Sequence, residues 1–111
     1  MIEKIVTSYD VSRKLAGVLG TDVPTYFVWV DGENGPQLMT REEYLNRSHY
    51  GHDLVPAYTV TELAAICGGG AMSKLRIWSA VPDIVAERAI NAGLERYKEQ
   101  ALDNLRKWQE S

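Results

Sequence analysis

The chain has 111 residues, 45% of them hydrophobic, a size at which one domain buries a real core and a second has no room. Twelve basic residues against fifteen acidic ones leave a formal charge of −3 with no basic stripe, which argues against nucleic acid as a partner because phosphate neutralisation supplies most of that affinity. One cysteine, Cys67, excludes an internal disulfide and a thiolate metal cluster within the chain, and no stretch approaches the roughly 20 apolar residues that span a bilayer. The opening MIEKIVTSYDV lacks the apolar run of a signal peptide, so a soluble protein of the cytoplasm is expected.

Thr7 and Asp10 have the spacing of a capping box, in which a hydroxyl accepts an orphan backbone N–H and a carboxylate reaches back. Val11, Leu15, Val18 and Leu19 repeat at helical spacing and Gly20 supplies a left-handed stop, which predicts an amphipathic helix over 8–19. The segment TYFVWVDGENGPQLM reads as a hairpin: aromatic and β-branched residues over 26–30, a turn rich in Gly, Asn and Asp, and a second strand placed near an edge by Pro36. Thr40 with Glu43, and Thr59 with Glu62, repeat the capping spacing and predict two more helices, the second carrying Val60, Leu63, Ala64 and Ile66 and ending at Gly68. VPAY before that helix is expected to be extended, since the residue preceding a proline is pushed out of the helical region.

SKLRIWSAV alternates in the manner of a strand over 74–80. Pro82 suits the first turn of a helix and Asp83 its positive end. Ile90, Leu94, Tyr97, Ala101, Leu105 and Trp108 then follow steps of three and four, which predicts a helix over about 82–110. At 1.5 Å per residue it would be about 40 Å long, against a diameter near 34 Å for a compact domain of this size, so its far end should overhang the core. The expected fold is therefore a single α+β domain: a small antiparallel sheet from the hairpin, 55–58 and 74–80, covered by helices on one face, with a long C-terminal helix. The expected core is Leu15, Val18, Phe27, Val28, Val30, Leu63, Ile66, Leu75, Ile77, Ile84, Ile90 and Leu94.

IVTSYDVSRKLAGVLG, TYFVWV and LVPAYTVTELAAI resemble segments of a family of small uncharacterised proteins encoded by phages and prophages. Its members run from an N-terminal helix into a strand like FYWV, then a segment like IPAPTLAELGEML, then a C-terminal helix. The likeness covers about residues 4–67, with AERAINAGLERY a fainter match to the last helix. It implies a genomic setting and a fold, and brings no activity, cofactor or site residue with it. The chain departs from the family at CGGGAMSKLRIWSAV, where a longer strand-rich segment is usual, and in a last helix longer by about a dozen residues.

Few residues point to chemistry. His49, His52 and Asp53 supply three potential metal ligands, but Gly51 interrupts any helix that would aim the imidazoles together, and no fourth ligand is evident. A polar loop is the plainer reading, beside metal binding or a proton-transfer role. The glycines after Cys67 follow a helix and precede a strand, the order of a C-cap and not of a phosphate loop, and Cys67 reads as a small buried hydrophobe. Trp29 reads as core. Trp78 alternates with Arg76 and Trp108 lies beyond the expected core, and aromatics with arginine are the residues that anchor interfaces.

Two functions are therefore carried forward. One is a non-enzymatic phage or prophage accessory protein that binds a host or defence protein, with Arg76, Trp78, Tyr97, Leu105 and Trp108 as its partner-binding residues and no cofactor. The other is a small-ligand binder or minor enzyme with a pocket near His49, His52 and Tyr58. The overhanging apolar stripe of Tyr97, Ala101, Leu105 and Trp108 needs a cover, most simply its own copy in a symmetric dimer. The competing expectation is a bend at Gly93 that folds the helix back on its own domain.

Overall fold

The computed structural model describes residues 5–46, 54–68 and 79–111. Its elements are α1 (Tyr9–Leu19), β1 (Phe27–Gly32), β2 (Gly35–Thr40), α2 (Arg41–Asn46), β3 (Leu54–Ala57), α3 (Val60–Ile66), α4 (Pro82–Asn91), a 3-10 turn (Leu94–Tyr97) and α5 (Lys98–Glu110). The sheet is antiparallel in the order β2-β1-β3, so the fold is the α+β arrangement read from the sequence. The strand expected over 74–80, with Leu75 and Ile77, lies outside the described residues except for Ser79 and Ala80, which are not in a strand.

The caps are set largely by local chemistry. Thr59 and Glu62 form a complete capping box, and the Thr40 hydroxyl accepts from the Glu43 N–H at 3.0 Å. Ahead of α1 the cap is Ser8, whose side chain accepts from the Val11 N–H, and not Thr7 as the spacing suggested. Thr7 is withdrawn because it is fully buried at a junction between distant segments. Its N–H donates to the Tyr58 carbonyl at 2.9 Å and its hydroxyl accepts from the Tyr58 N–H at 3.0 Å, while its carbonyl accepts from the Trp29 indole at 2.9 Å.

Alternation along β1 divides its side chains between two faces. Trp29 meets Tyr9 of α1 edge-on, with ring centroids 6.1 Å apart. Val28 and Val30 point the other way and form a small cluster with Met39, against which Tyr44 of α2 and Leu54 pack. Helices thus touch both faces of the sheet, and not one face only.

The main core joins α1, α3, α4 and α5 through Leu15, Leu63, Ile66, Val85, Leu94 and Leu105, with Tyr58 among them. Val18 and Ile90 are half-buried against it. Ile84, expected inside, is 39% exposed; the buried side of α4 is Pro82, Val85, Ala86 and Ala89, one position away from the register that the apolar spacing suggested.

The continuous C-terminal helix is the main correction. Helix α4 stops at Asn91, and Gly93 takes φ 99°, a left-handed conformation that a side chain resists. The chain turns there, and α5 packs along the core with Ala101 and Leu105 essentially inaccessible. The Asn104 amide donates to the Ile66 carbonyl at the end of α3 at 3.2 Å, and the Gln109 amide donates to the Pro24 carbonyl at 2.6 Å. The middle of the stripe that was to overhang, Ala101 and Leu105, is covered by its own domain, while Tyr97 and Trp108 stay partly exposed, and the reason for a dimer through Leu105 falls away.

Gly93→Ala tests the turn by its sign. In a continuous helix it would stabilise by about 1 kcal/mol; at this positive φ it should instead destabilise by about 1–2 kcal/mol, read from the urea midpoint. Ending the chain at Glu99 should abolish cooperative unfolding by circular dichroism, because it removes Ala101 and Leu105 from the core.

Candidate functional site

The segment leading into β1 is shaped by Pro24, which holds Val23 extended, and by Thr25, which is buried and donates its hydroxyl to the Phe27 carbonyl at 2.7 Å. Arg41, the first residue of α2, clamps this segment. Its Nε donates to the Thr25 carbonyl at 2.9 Å, one Nη donates to the Val23 carbonyl at 2.7 Å, and its backbone N–H donates to the Tyr26 carbonyl at 2.8 Å. The long arginine thus fixes the backbone of 23–26 with a geometry that lysine could not reproduce.

Glu62 holds the same segment from the other side. It is the third residue of α3 and only 3% exposed. One carboxylate oxygen accepts from the Thr59 N–H and hydroxyl at 2.9 and 3.0 Å; the other accepts from the Tyr26 N–H at 3.0 Å. A buried carboxylate is tolerable when its lone pairs are satisfied in this way. Thr59 and Glu62 together have the geometry of a helix cap, with hydroxyl and carboxylate each occupied by it.

Between this segment and the end of α5 lies an open groove of about 580 Å³, bordered by Pro24, Tyr26, Arg41, Glu42, Glu62 and Trp108, with Thr25, Thr59 and Gln109 completing it. Tyr26 is 66% exposed and Trp108 43% exposed. Tyr26 is steadied by an edge-on contact with Phe27, the centroids 4.8 Å apart. Burial pulls the Arg41 guanidinium below its ordinary value, and the nearby Glu62 carboxylate works against that shift. Glu42 pairs with no cation among the described residues.

Trp108, read from the sequence as a partner-binding residue, therefore stands on the groove. Tyr97 is 40% exposed but opens α5 at its other end, roughly 16 Å away along the helix axis. Leu105 is in the core and unavailable to a partner. Arg76, Trp78, His49, His52 and Asp53 lie outside the described residues, and among the described residues no group of three His, Cys, Asp or Glu could hold a metal ion. Tyr58, placed by the alternative reading beside a ligand pocket, is fully buried in the main core. Burial, with Glu62 adding to it and Arg41 opposing, pushes its phenol far above the ordinary range, and its hydroxyl has no hydrogen-bond partner among the described residues. Cys67 is half-buried, and burial pushes its thiol up to about 11, which suits a small hydrophobe and not a nucleophile.

Sequence reasoning missed Tyr26, Arg41 and Glu42. Tyr26 was absorbed into the strand that begins one residue later, although Pro24 two positions before it marks a segment outside the sheet. Arg41 and Glu42 read only as the solvated first turn of a helix.

Glu62→Gln leaves one of the three donors facing an amide that cannot accept at both ends. It should cost about 1–3 kcal/mol and lower the urea midpoint by roughly 1 M with an unchanged m-value.

No family model, no curated protein and no solved structure matches this chain. The reading of the groove stands on its geometry.

Proposed function

We propose that the chain is a non-enzymatic binding module that engages another protein through the groove between Tyr26 and Trp108. The observation that carries this reading is the pair of exposed aromatic rings on walls held rigid from behind, Tyr26 by Glu62 and Arg41 and the end of α5 by the Gln109 contact to Pro24. Rigid, exposed aromatics supply most of the energy at protein interfaces, because they bury a large area at low cost in side-chain entropy. The resemblance to phage and prophage proteins supplies the setting: an accessory protein in the cytoplasm of an infected host, acting on a host or defence factor. Self-association through α5 would have to use Tyr97 and Trp108 without Leu105, so a monomer of 12.4 kDa is expected by light scattering at micromolar concentration.

The test is a pull-down from host lysate with the intact protein and with Tyr26→Ala/Trp108→Ala. Both side chains are well exposed, so the double variant should keep its melting temperature within a few degrees. It should lose a stoichiometric partner captured by the parent, each truncation costing about 2 kcal/mol of binding. Equal recovery of that partner by the folded variant would refute the groove as the binding face.

A further inference from the structure

Between Pro82 and Glu110 the chain departs from a single helix at very few residues. Ala92 still has right-handed backbone and Leu94–Tyr97 form a 3-10 turn, so the breaks are Gly93, at φ 99° and ψ 34°, and Tyr97, at φ −125° and ψ 39°. The Gly93 N–H donates to the Ile90 carbonyl at 3.1 Å and the Arg96 N–H to the Gly93 carbonyl at 2.9 Å, bonds of the three-residue type whose geometry is poorer than that of an α-helix. The apolar steps Ile90, Leu94, Tyr97, Ala101 and Leu105 meanwhile run through the turn at spacings of four and three. One continuous helix, about 40 Å long, is therefore a second conformation that this sequence encodes.

In that conformation α5 leaves its own domain and uncovers the core around Leu15, Leu63, Ile66 and Val85. What fits there is another α5. Two closed copies cannot meet through Leu105, but two opened copies can exchange it. Each α5 then makes in the partner copy the contacts it makes in its own domain: Ala101 and Leu105 in the core, Asn104 on the Ile66 carbonyl and Gln109 on the Pro24 carbonyl. The two arrangements differ only over residues 92–97, where Leu94, 1% exposed in the closed form, would pack with Ile90 and Tyr97 at the crossing of the two straight helices. Association costs translational freedom, so the monomer is favoured for as long as the hinge can turn. We infer that Gly93 is what holds the domain closed as a monomer, and that two chains can exchange α5 as straight helices to form a symmetric dimer. Trp108 and Gln109 of one copy then complete the groove of the other, so the groove survives the exchange and is presented twice.

Gly93→Ala separates the two states. A Cβ there meets nothing closer than Arg96 Cδ at 3.6 Å, an ordinary contact, so the variant acts through the backbone: it opposes the left-handed turn and favours the helix. Refolded from urea at millimolar concentration, it should weigh about 25 kDa by light scattering, twice the 12.4 kDa of one chain. Its dimer should dissociate with a constant lower than the parent's by about 30-fold or more, because both hinges gain at once. Mixing two defective chains then distinguishes exchange from surface association. Leu105→Asp spoils α5 and Leu63→Asp spoils the core that receives it, so neither chain alone should unfold cooperatively. Refolded together, they can build one sound core from the Leu63 of one chain and the Leu105 of the other. Cooperative unfolding by near-ultraviolet circular dichroism should then return with about half the amplitude of the parent, and more fully when both chains also carry Gly93→Ala. A Gly93→Ala chain that stays a monomer at millimolar concentration, or a mixture that recovers nothing, would overturn the inference. If Gly93→Ala does not fold at all, the mixture in the parent background decides alone.

Discussion

The buried carboxylate of Glu62 is the constraint on which much of this domain hangs. A carboxylate 3% exposed is tolerable there because three donors converge on it, and those donors come from two parts of the chain, Thr59 at the start of α3 and Tyr26 ahead of β1. Its bonds to Thr59 start α3 at a defined residue. Its bond to the Tyr26 N–H draws the segment before β1 against the start of that helix. Arg41 completes the arrangement from the far end of the hairpin, holding the Val23 and Thr25 carbonyls. The backbone of one aromatic wall is thus held by hydrogen bonds behind it, with the ring of Tyr26 exposed and edge-on to Phe27.

Thr7 performs the equivalent task on the other side of β3. Its backbone and hydroxyl bond both backbone polar groups of Tyr58, and its carbonyl takes the Trp29 indole. With Ser12 Oγ 2.6 Å from its hydroxyl, this one small side chain fastens α1 to the end of β3. Such a junction satisfies polar groups that the core would otherwise strand, a condition for burying backbone beside Leu15 and Leu63.

What could be read from the sequence follows the range over which each signal acts. The Thr40 and Thr59 caps were legible because each capping donor and acceptor are three residues apart in the chain. Thr7 and Ser8 carry adjacent hydroxyls, and the one that caps is decided by Tyr58, 51 residues away, which no local spacing encodes. The hairpin, its edge strand and the extended VPAY were legible from alternation and proline. The apolar steps of the last segment continue through Gly93 as though one helix ran throughout, because each half is periodic in itself; only the left-handed backbone at Gly93 separates them, and a lone glycine in a helical pattern does not announce which way it will turn. The site was half visible: Trp108 stood out as an aromatic near the end of an amphipathic pattern, whereas Tyr26 and Arg41 acquire meaning only once Glu62 has brought α3 beside them.

Closing the core with α5 has a consequence for how the domain is made. Leu105 and Ala101 pack with Leu15 and Leu63, so the interior stays open to water until the residues around 105 have left the ribosome. Synthesis runs at roughly 5–20 residues per second, and for those seconds the apolar faces of α1 and α3 have only each other and whatever else binds a nascent chain. The hairpin, whose contacts are local, can form in that interval. The helical layer cannot, because the helix that shuts it, α5, is made well after α1 and α3.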